Sequence, residues 1–167
     1  KWQQESGLVL LLPHGMEGQG PDHSSGRLER FLSLAAQDNM TIAQPSTSSS
    51  YFHLLRWQVL NPHNKPLIIF TPKSMLRAKP ATSATVEFTN GKFNPVIEDL
   101  KSDRNKVKKI VMCSGKIAHE IAGARENSNK EDISIIRFER LYPLPVREVQ
   151  HILNQYSQDV KIIWAQD

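Results

Sequence analysis

LVLLLPHGMEGQGPDHSSGRLERFL, residues 8–32, decides how the rest of the chain is read. Leu8 to Leu12 is an unbroken apolar run, long enough for a buried strand and too short for most helices. Pro13 ends it. His14 to Asp22 holds Gly15, Gly18, Gly20 and Pro21, a composition that breaks regular structure and predicts a loop. From Ser24 the spacing turns helical: Leu28, Phe31, Leu32 and Ala35 recur at i, i+3, i+4 and i+7. Asp22 or Ser24 is the expected N-cap, its side-chain oxygen accepting from free backbone N–H groups. Strand, glycine-rich loop and helix start follow one another, the unit beyond whose strand ends open α/β sheets place their ligands.

The loop carries two imidazoles, His14 near the strand end and His23 near the expected helix start, with Glu17 and Asp22 between them. Such groups beside flexible backbone can move protons and hold an anion. Three readings stay open on spacing alone: proton-handling residues, ordinary loop histidines, or zinc held by His14, His23 and an acid, although the spacing fits no standard zinc pattern. The loop has neither a Gly-Lys-Ser/Thr end nor GxGxxG spacing, which removes the common nucleotide-binding loops.

The 167 residues suit one domain or parts of two. Hydrophobic residues make up 39%, enough for a modest core, and no apolar run approaches membrane-spanning length. The single cysteine, Cys113, excludes an internal disulfide and fits a reducing compartment. Net charge is +4. The cluster Lys101, Arg104, Lys106, Lys108 and Lys109 reads as a solvated linker rather than a nucleic-acid site, because no aromatic residues interleave and no nucleic-acid motif is present.

Outward from the opening unit, residues 1–7 are expected to finish a helix stopped at Gly7. Thr41–Ala43 reads as a strand. Residues 46–50 read as a turn with Ser49 or Ser50 capping a helix over Tyr51–Leu60, whose core face is Phe52, Leu55 and Val59. Leu67–Phe70 is a second buried strand. Residues 78–106 are polar and proline-containing, expected to be an interdomain linker with a short strand at Thr85–Thr89. A second α/β pattern follows. It has strands at 107–112, 133–138 and 160–164, a helix over 117–126 facing inward with Ile117, Ile121 and Ala124, and a helix opened by Pro143 and Pro145 that bears Val149, Ile152 and Leu153. The fold class expected is α/β with parallel sheets. Cys113 reads as a core residue rather than a reactive thiol, and His53, His63, His119 and His151 as surface residues.

HGMEGQGPDHSSGRLERF resembles the loop and helix of the thiamine diphosphate-dependent decarboxylating component of 2-oxoglutarate dehydrogenase. YFHLLR (51–56), KPLIIFTPKSMLR (65–77), CSGK (113–116) and IIRFERLYPLP (135–145) resemble later blocks of that family, in the same order. The variants PDHSSGR, TIAQPSTS and SDRNKV are most similar to actinobacterial members, often multifunctional 2-oxoglutarate decarboxylase/dehydrogenases fused to an acyltransferase domain. Trp57 departs from the family, where arginine is commoner, and His119 from an aromatic; both bear on local packing.

The resemblance implies that residues 1–77 are the C-terminal half of a transketolase-like pyrimidine-binding domain, 78–106 a linker, and 107–167 the first part of a transketolase C-terminal-like domain. It implies a fragment of a longer bacterial, cytoplasmic, homodimeric enzyme. That enzyme would decarboxylate 2-oxoglutarate in the tricarboxylic acid cycle and pass the succinyl unit to a lipoyl group on a succinyltransferase. The cofactor does the hard chemistry while protein supplies orientation and proton traffic. By similarity, His23 stands beside the reacting cofactor carbon, binding substrate and moving protons, and His14 at the substrate-side mouth holds the distal carboxylate. Ser24 is a weaker substrate ligand, Glu17 orients a histidine or joins a subunit contact, and Arg27 and Arg30 form structural ion pairs. Lys73 and Arg77 read as anion or interface contacts, and Lys116 as a regulatory contact. The magnesium–diphosphate segment and the ring-activating glutamate find no match here, so residues 1–167 alone are expected not to catalyse. Another 2-oxo acid dehydrogenase, a transketolase and a non-catalytic α/β module stay open as alternatives.

Overall fold

A computed structural model describes residues 4–15 and 20–166. Glu17, a candidate for orienting a histidine, lies outside the described residues. In chain order the elements are β1 (Val9–Pro13), α1 (Leu28–Leu34), β2 (Thr41–Ala43), α2 (Ser48–Leu60), β3 (Leu67–Thr71), α3 (Thr85–Thr89), β4 (Val96–Ile97), β5 (Lys109–Ser114), α4 (Ile117–Asn127), β6 (Ile133–Phe138), β7 (Arg140–Tyr142), α5 (Val146–Leu153) and β8 (Lys161–Trp164). Two four-stranded sheets result, ordered β1-β3-β2-β7 and β4-β6-β5-β8.

In the first sheet β1, β3 and β2 are parallel and β7 closes one edge antiparallel to β2. Side chains alternate across a sheet, so successive residues feed opposite cores. Ile42, Ile68 and Phe70 meet Leu28, Phe31 and Ala35 of the α1 region on one face. Ala43, Leu67 and Ile69 meet Leu54, Leu55, Tyr51 and Trp57 of α2 on the other. The second sheet is built likewise: Ile110, Met112, Ile136 and Phe138 pack on Val149, Ile152 and Leu153 of α5, and Cys113 and Ile135 on Ala118, Ile117 and Ile121 of α4. Both sheets are therefore apolar on two faces, as helix-covered parallel sheets require.

Several local expectations are corrected. Residues 4–8 form no helix. The helix expected from Ser24 starts at Leu28, and neither Asp22 nor Ser24 caps it; Arg27 precedes it in extended conformation without a side-chain cap. The cause is a tether: the Gly26 N–H donates to the Pro13 carbonyl at 2.7 Å, holding the chain extended against the end of β1. A Cβ on Gly26 would lie 2.5 Å from that oxygen, so the approach requires glycine. The helix stops at Leu34, and Asn39 closes the end by donating to the Leu34 carbonyl and accepting from the Ala36 N–H. Thr47, not Ser49 or Ser50, caps α2, accepting from the Ser50 N–H. The face of α2 is turned relative to expectation: Phe52 and Val59 are exposed while His53, Leu54 and Gln58 are buried. In α4 the inward face is Ile117, Ala118, Ile121 and Ala122, with Ala124 exposed.

Thr85–Thr89 is a helical turn, not a strand. The Glu87 carboxylate accepts from the Ala84 N–H at 2.6 Å, and Phe88 meets Phe52 edge-on at 5.6 Å. His53 is not a surface residue: its Nε2 donates to the Glu87 carbonyl at 2.7 Å. Nor is His119 fully exposed, since its Nε2 lies 2.6 Å from the Ser46 carbonyl. His63 and His151 are exposed, as expected. Within 78–106, β4 pairs with β6 and so belongs to the second sheet. The basic cluster is laced to carboxylates, Lys101 to Glu126, Arg104 to Glu98 and Lys106 to Glu131. Among the described residues no helix is long and apolar enough to cross a membrane.

Candidate active site

The site lies at the carboxyl ends of β1 and β3. After β1 the chain passes His14 and returns through a short turn over Pro21–His23, closed by the His23 N–H donating to the Gly20 carbonyl at 3.2 Å. Gly20 makes this possible with φ of +86°, a conformation that side chains disfavour. After β3, Pro72 and a tight turn over Lys73–Arg77 bring a lysine to the same place. Lys73 Nζ lies 3.0 Å from His23 Nδ1 and 3.3 Å from Nε2. With both ring nitrogens this near, the ammonium cannot lie in the ring plane along either lone pair, so it rests against the face of the imidazole. The pair offers a donor cation and a ring that can give or take a proton, side by side.

These two side chains line a cavity of about 560 Å³. Its apolar wall includes Leu11, Tyr51, Phe70 and Met75, and its polar rim includes the hydroxyl-bearing turn Ser46–Ser48. A mostly apolar concavity with few convergent polar groups is the usual form of a small-molecule site. The structure does not bring all candidates into it. His14 stands behind the wall: it meets Phe70 edge-on with centroids 5.6 Å apart, and its Nδ1 is 3.5 Å from the Gly26 carbonyl. Ser24 turns its hydroxyl to the Gly20 carbonyl at 2.9 Å. Arg27 donates to the carbonyls of Ser24 and Gly26. Among the described residues neither Arg27 nor Arg30 forms the expected ion pair, and Arg27 braces the loop instead. No trio of His, Cys, Asp or Glu suited to a metal is found among the described residues, so the zinc reading has no third ligand there.

Arg77 also lines the cavity, while Lys116 pairs with Glu120 one turn along α4. Cys113 is fully buried, and burial pushes its thiol up to about 11. It is a core residue, as expected. Read from sequence, residues 46–50 are a turn, and nothing in that reading places Ser46, Thr47 and Ser48 in the cavity wall, where they stand. The succession of hydroxyl side chains from Ser46 to Ser50 was the available signal.

Residues 1–79 match the family model described as transketolase, pyrimidine binding domain, which agrees with the class the fold defines, α/β with parallel strands. Residues 82–167 match the model described as 2-oxoglutarate dehydrogenase C-terminal, and the chain belongs to that family. It is 50% identical over its whole length to the 2-oxoglutarate dehydrogenase E1/E2 component of Corynebacterium glutamicum, covering 14% of that protein. It is likewise 50% identical to the multifunctional 2-oxoglutarate metabolism enzyme of Mycobacterium sp. (strain KMS), covering 14%. To the 2-oxoglutarate dehydrogenase E1 component of Geobacillus sp. (strain WCH70) it is 51% identical, covering 18%. The chain thus spans less than a fifth of the length of these relatives.

Proposed function

We propose that the chain is part of a thiamine diphosphate-dependent enzyme that decarboxylates 2-oxoglutarate. The succinyl unit passes to a lipoyl group on an acyltransferase partner, and the enzyme works as a homodimer in the bacterial cytoplasm. The observation that carries this reading is the convergence of His23 and Lys73 on one cavity in a chain half identical to proteins named for 2-oxoglutarate. Thiamine diphosphate, when bound, supplies a nucleophilic carbon and an electron sink for loss of carbon dioxide. The cavity suits it: Leu11, Tyr51, Phe70 and Met75 offer an apolar surface for a flat ring. The described residues do not suit magnesium, since they gather no carboxylate cluster.

The residues of this chain have three tasks. Lys73 holds a substrate carboxylate by a charge-assisted hydrogen bond. His23 gives or takes a proton at its ring nitrogen next to the reacting carbon. The apolar wall excludes water, which strengthens both interactions. The family resemblance implies that His14 would hold the distal carboxylate and that Ser24 would be a weaker substrate ligand, each leaving its present partner, the Gly26 and the Gly20 carbonyl, to do so.

The test is substrate-dependent carbon dioxide release by the full-length protein with thiamine diphosphate and magnesium. Turnover of 2-oxoglutarate well above that of pyruvate or a ketopentose phosphate is the expected result. Preference for either competitor would replace the reading with a sister enzyme. No turnover of any 2-oxo acid would favour a non-catalytic module.

A further inference from the structure

Glu139 is the single residue between β6 and β7, the point where the chain leaves the second sheet and enters the first. Its carboxylate is fully buried. A buried carboxylate is tolerated only where donors replace its water. Here the donors all come from the segment that follows β2 of the first sheet. Ser46 Oγ donates to Oε1, the Ser46 N–H donates to Oε2 at 2.8 Å, and Ser50 Oγ donates to Oε2 at 2.6 Å. The anion sits at the start of α2, where the helix dipole also favours it. The same segment is gripped at other points. The Gln44 N–H donates to the Glu139 carbonyl at 2.9 Å, and Ser114 Oγ donates to Gln44 Oε1 at 2.9 Å. His119 Nε2 reaches the Ser46 carbonyl, completing the hold.

The gripped segment is one wall of the cavity that holds His23 and Lys73, through Pro45, Ser46, Thr47 and Ser48. The opposite wall hangs from β1 and β3, through Leu11, Pro13, Phe70 and Thr71. We propose that Glu139 is a positioning residue for that cavity. Its buried carboxylate fixes Ser46 and the first turn of α2, so that the substrate site takes its shape only when the two sheets are engaged. The kinetic part of this inference rests on the proposed function; the part about shape does not.

The test uses the full-length protein with Glu139→Gln and Ser50→Ala. Glutamine keeps the volume but offers a single acceptor oxygen to three donors, while Ser50→Ala removes one donor and leaves the other two. Amide hydrogen exchange over 44–52 should quicken by about tenfold or more in both variants, with 109–114 in β5 unchanged. The KM for 2-oxoglutarate should rise by about threefold or more with a smaller change in kcat, and more in Glu139→Gln than in Ser50→Ala. Exchange that quickens equally in both sheets, or a loosened 44–52 with unchanged KM, would overturn the proposal. Should Glu139→Gln not fold, Ser50→Ala carries the same readouts. If the wild type turns over no 2-oxo acid, the functional reading falls and exchange alone decides. Quickening over 44–52 that leaves 71–77 and 109–114 unchanged supports the part about shape, and exchange over 44–52 unchanged from wild type refutes it.

Discussion

Lys73 is half-buried and its ammonium group lies against the face of the His23 ring. A cation held that way can still bind an anion from the cavity. Lys73→Met should therefore raise KM for 2-oxoglutarate by roughly 10- to 100-fold, the range for a lost hydrogen bond to a charged group; Lys73→Arg should recover part of it. Steady-state kinetics on the full-length enzyme checks both. Cys113 makes a second residue-scale prediction. Burial is the main cause that lifts its thiol from about 9 to about 11. The folded state holds the proton more tightly than the unfolded state, so this contribution to stability is complete below pH 9 and is lost as pH rises from 9 towards 11. Denaturant melts across that window should show the decline in wild type and a flatter profile in Cys113→Ala. A thiol reagent at pH 8 should leave the native protein unlabelled.

Single elements show what the amino-acid order displays and what it hides. The strands β1, β2, β3, β5, β6 and β8 are apolar runs bounded by Pro, Gly, Asn or charge, and this local signal located them within two residues. Thr85–Thr89 has threonines and a valine that favour strands, yet among the described residues no strand pairs with it, while Phe52 and His53 of α2 offer a ring and a donor to a helical turn. The late start of α1 was hidden too, since it follows from a non-local hydrogen bond between Gly26 and Pro13. Gly26→Ala should cost roughly 1–3 kcal/mol by overpacking and displace the loop bearing His23. Thermal melting together with loss of turnover would check it, and an unaltered melt would show that the close approach is not needed. Of the candidate site, His23 was legible from its motif. Lys73 was legible only as a cation after a strand, because its partner lies 50 residues away.

The two sheets form one molecule through β7 and the residues around it. β7 is coded after the second sheet's β6 but pairs with β2 of the first. Such an exchange leaves no periodic trace in the sequence, because its cause is contact between distant segments. The second sheet has its own internal clasp. Arg125 pairs with Asp99, both almost fully buried, and Asp99 also accepts from the Ile135 N–H at 3.2 Å. Asp99→Ala would strand the guanidinium and should cost roughly 3–5 kcal/mol. Lys101→Ala, which removes an exposed pair with Glu126, should leave the denaturation midpoint almost unmoved. Comparing the two by urea titration separates the clasp from the solvated charges around it. The central claim is that the cavity holding His23 and Lys73 is where a 2-oxo acid reacts. It is tested most directly by carbon dioxide release from 2-oxoglutarate in the full-length enzyme, wild type against His23→Ala, with the circular dichroism melt of each recorded alongside. A loss well beyond about tenfold in kcat/KM with an unchanged melt is the expected result. Wild-type turnover in a folded His23→Ala enzyme would contradict it.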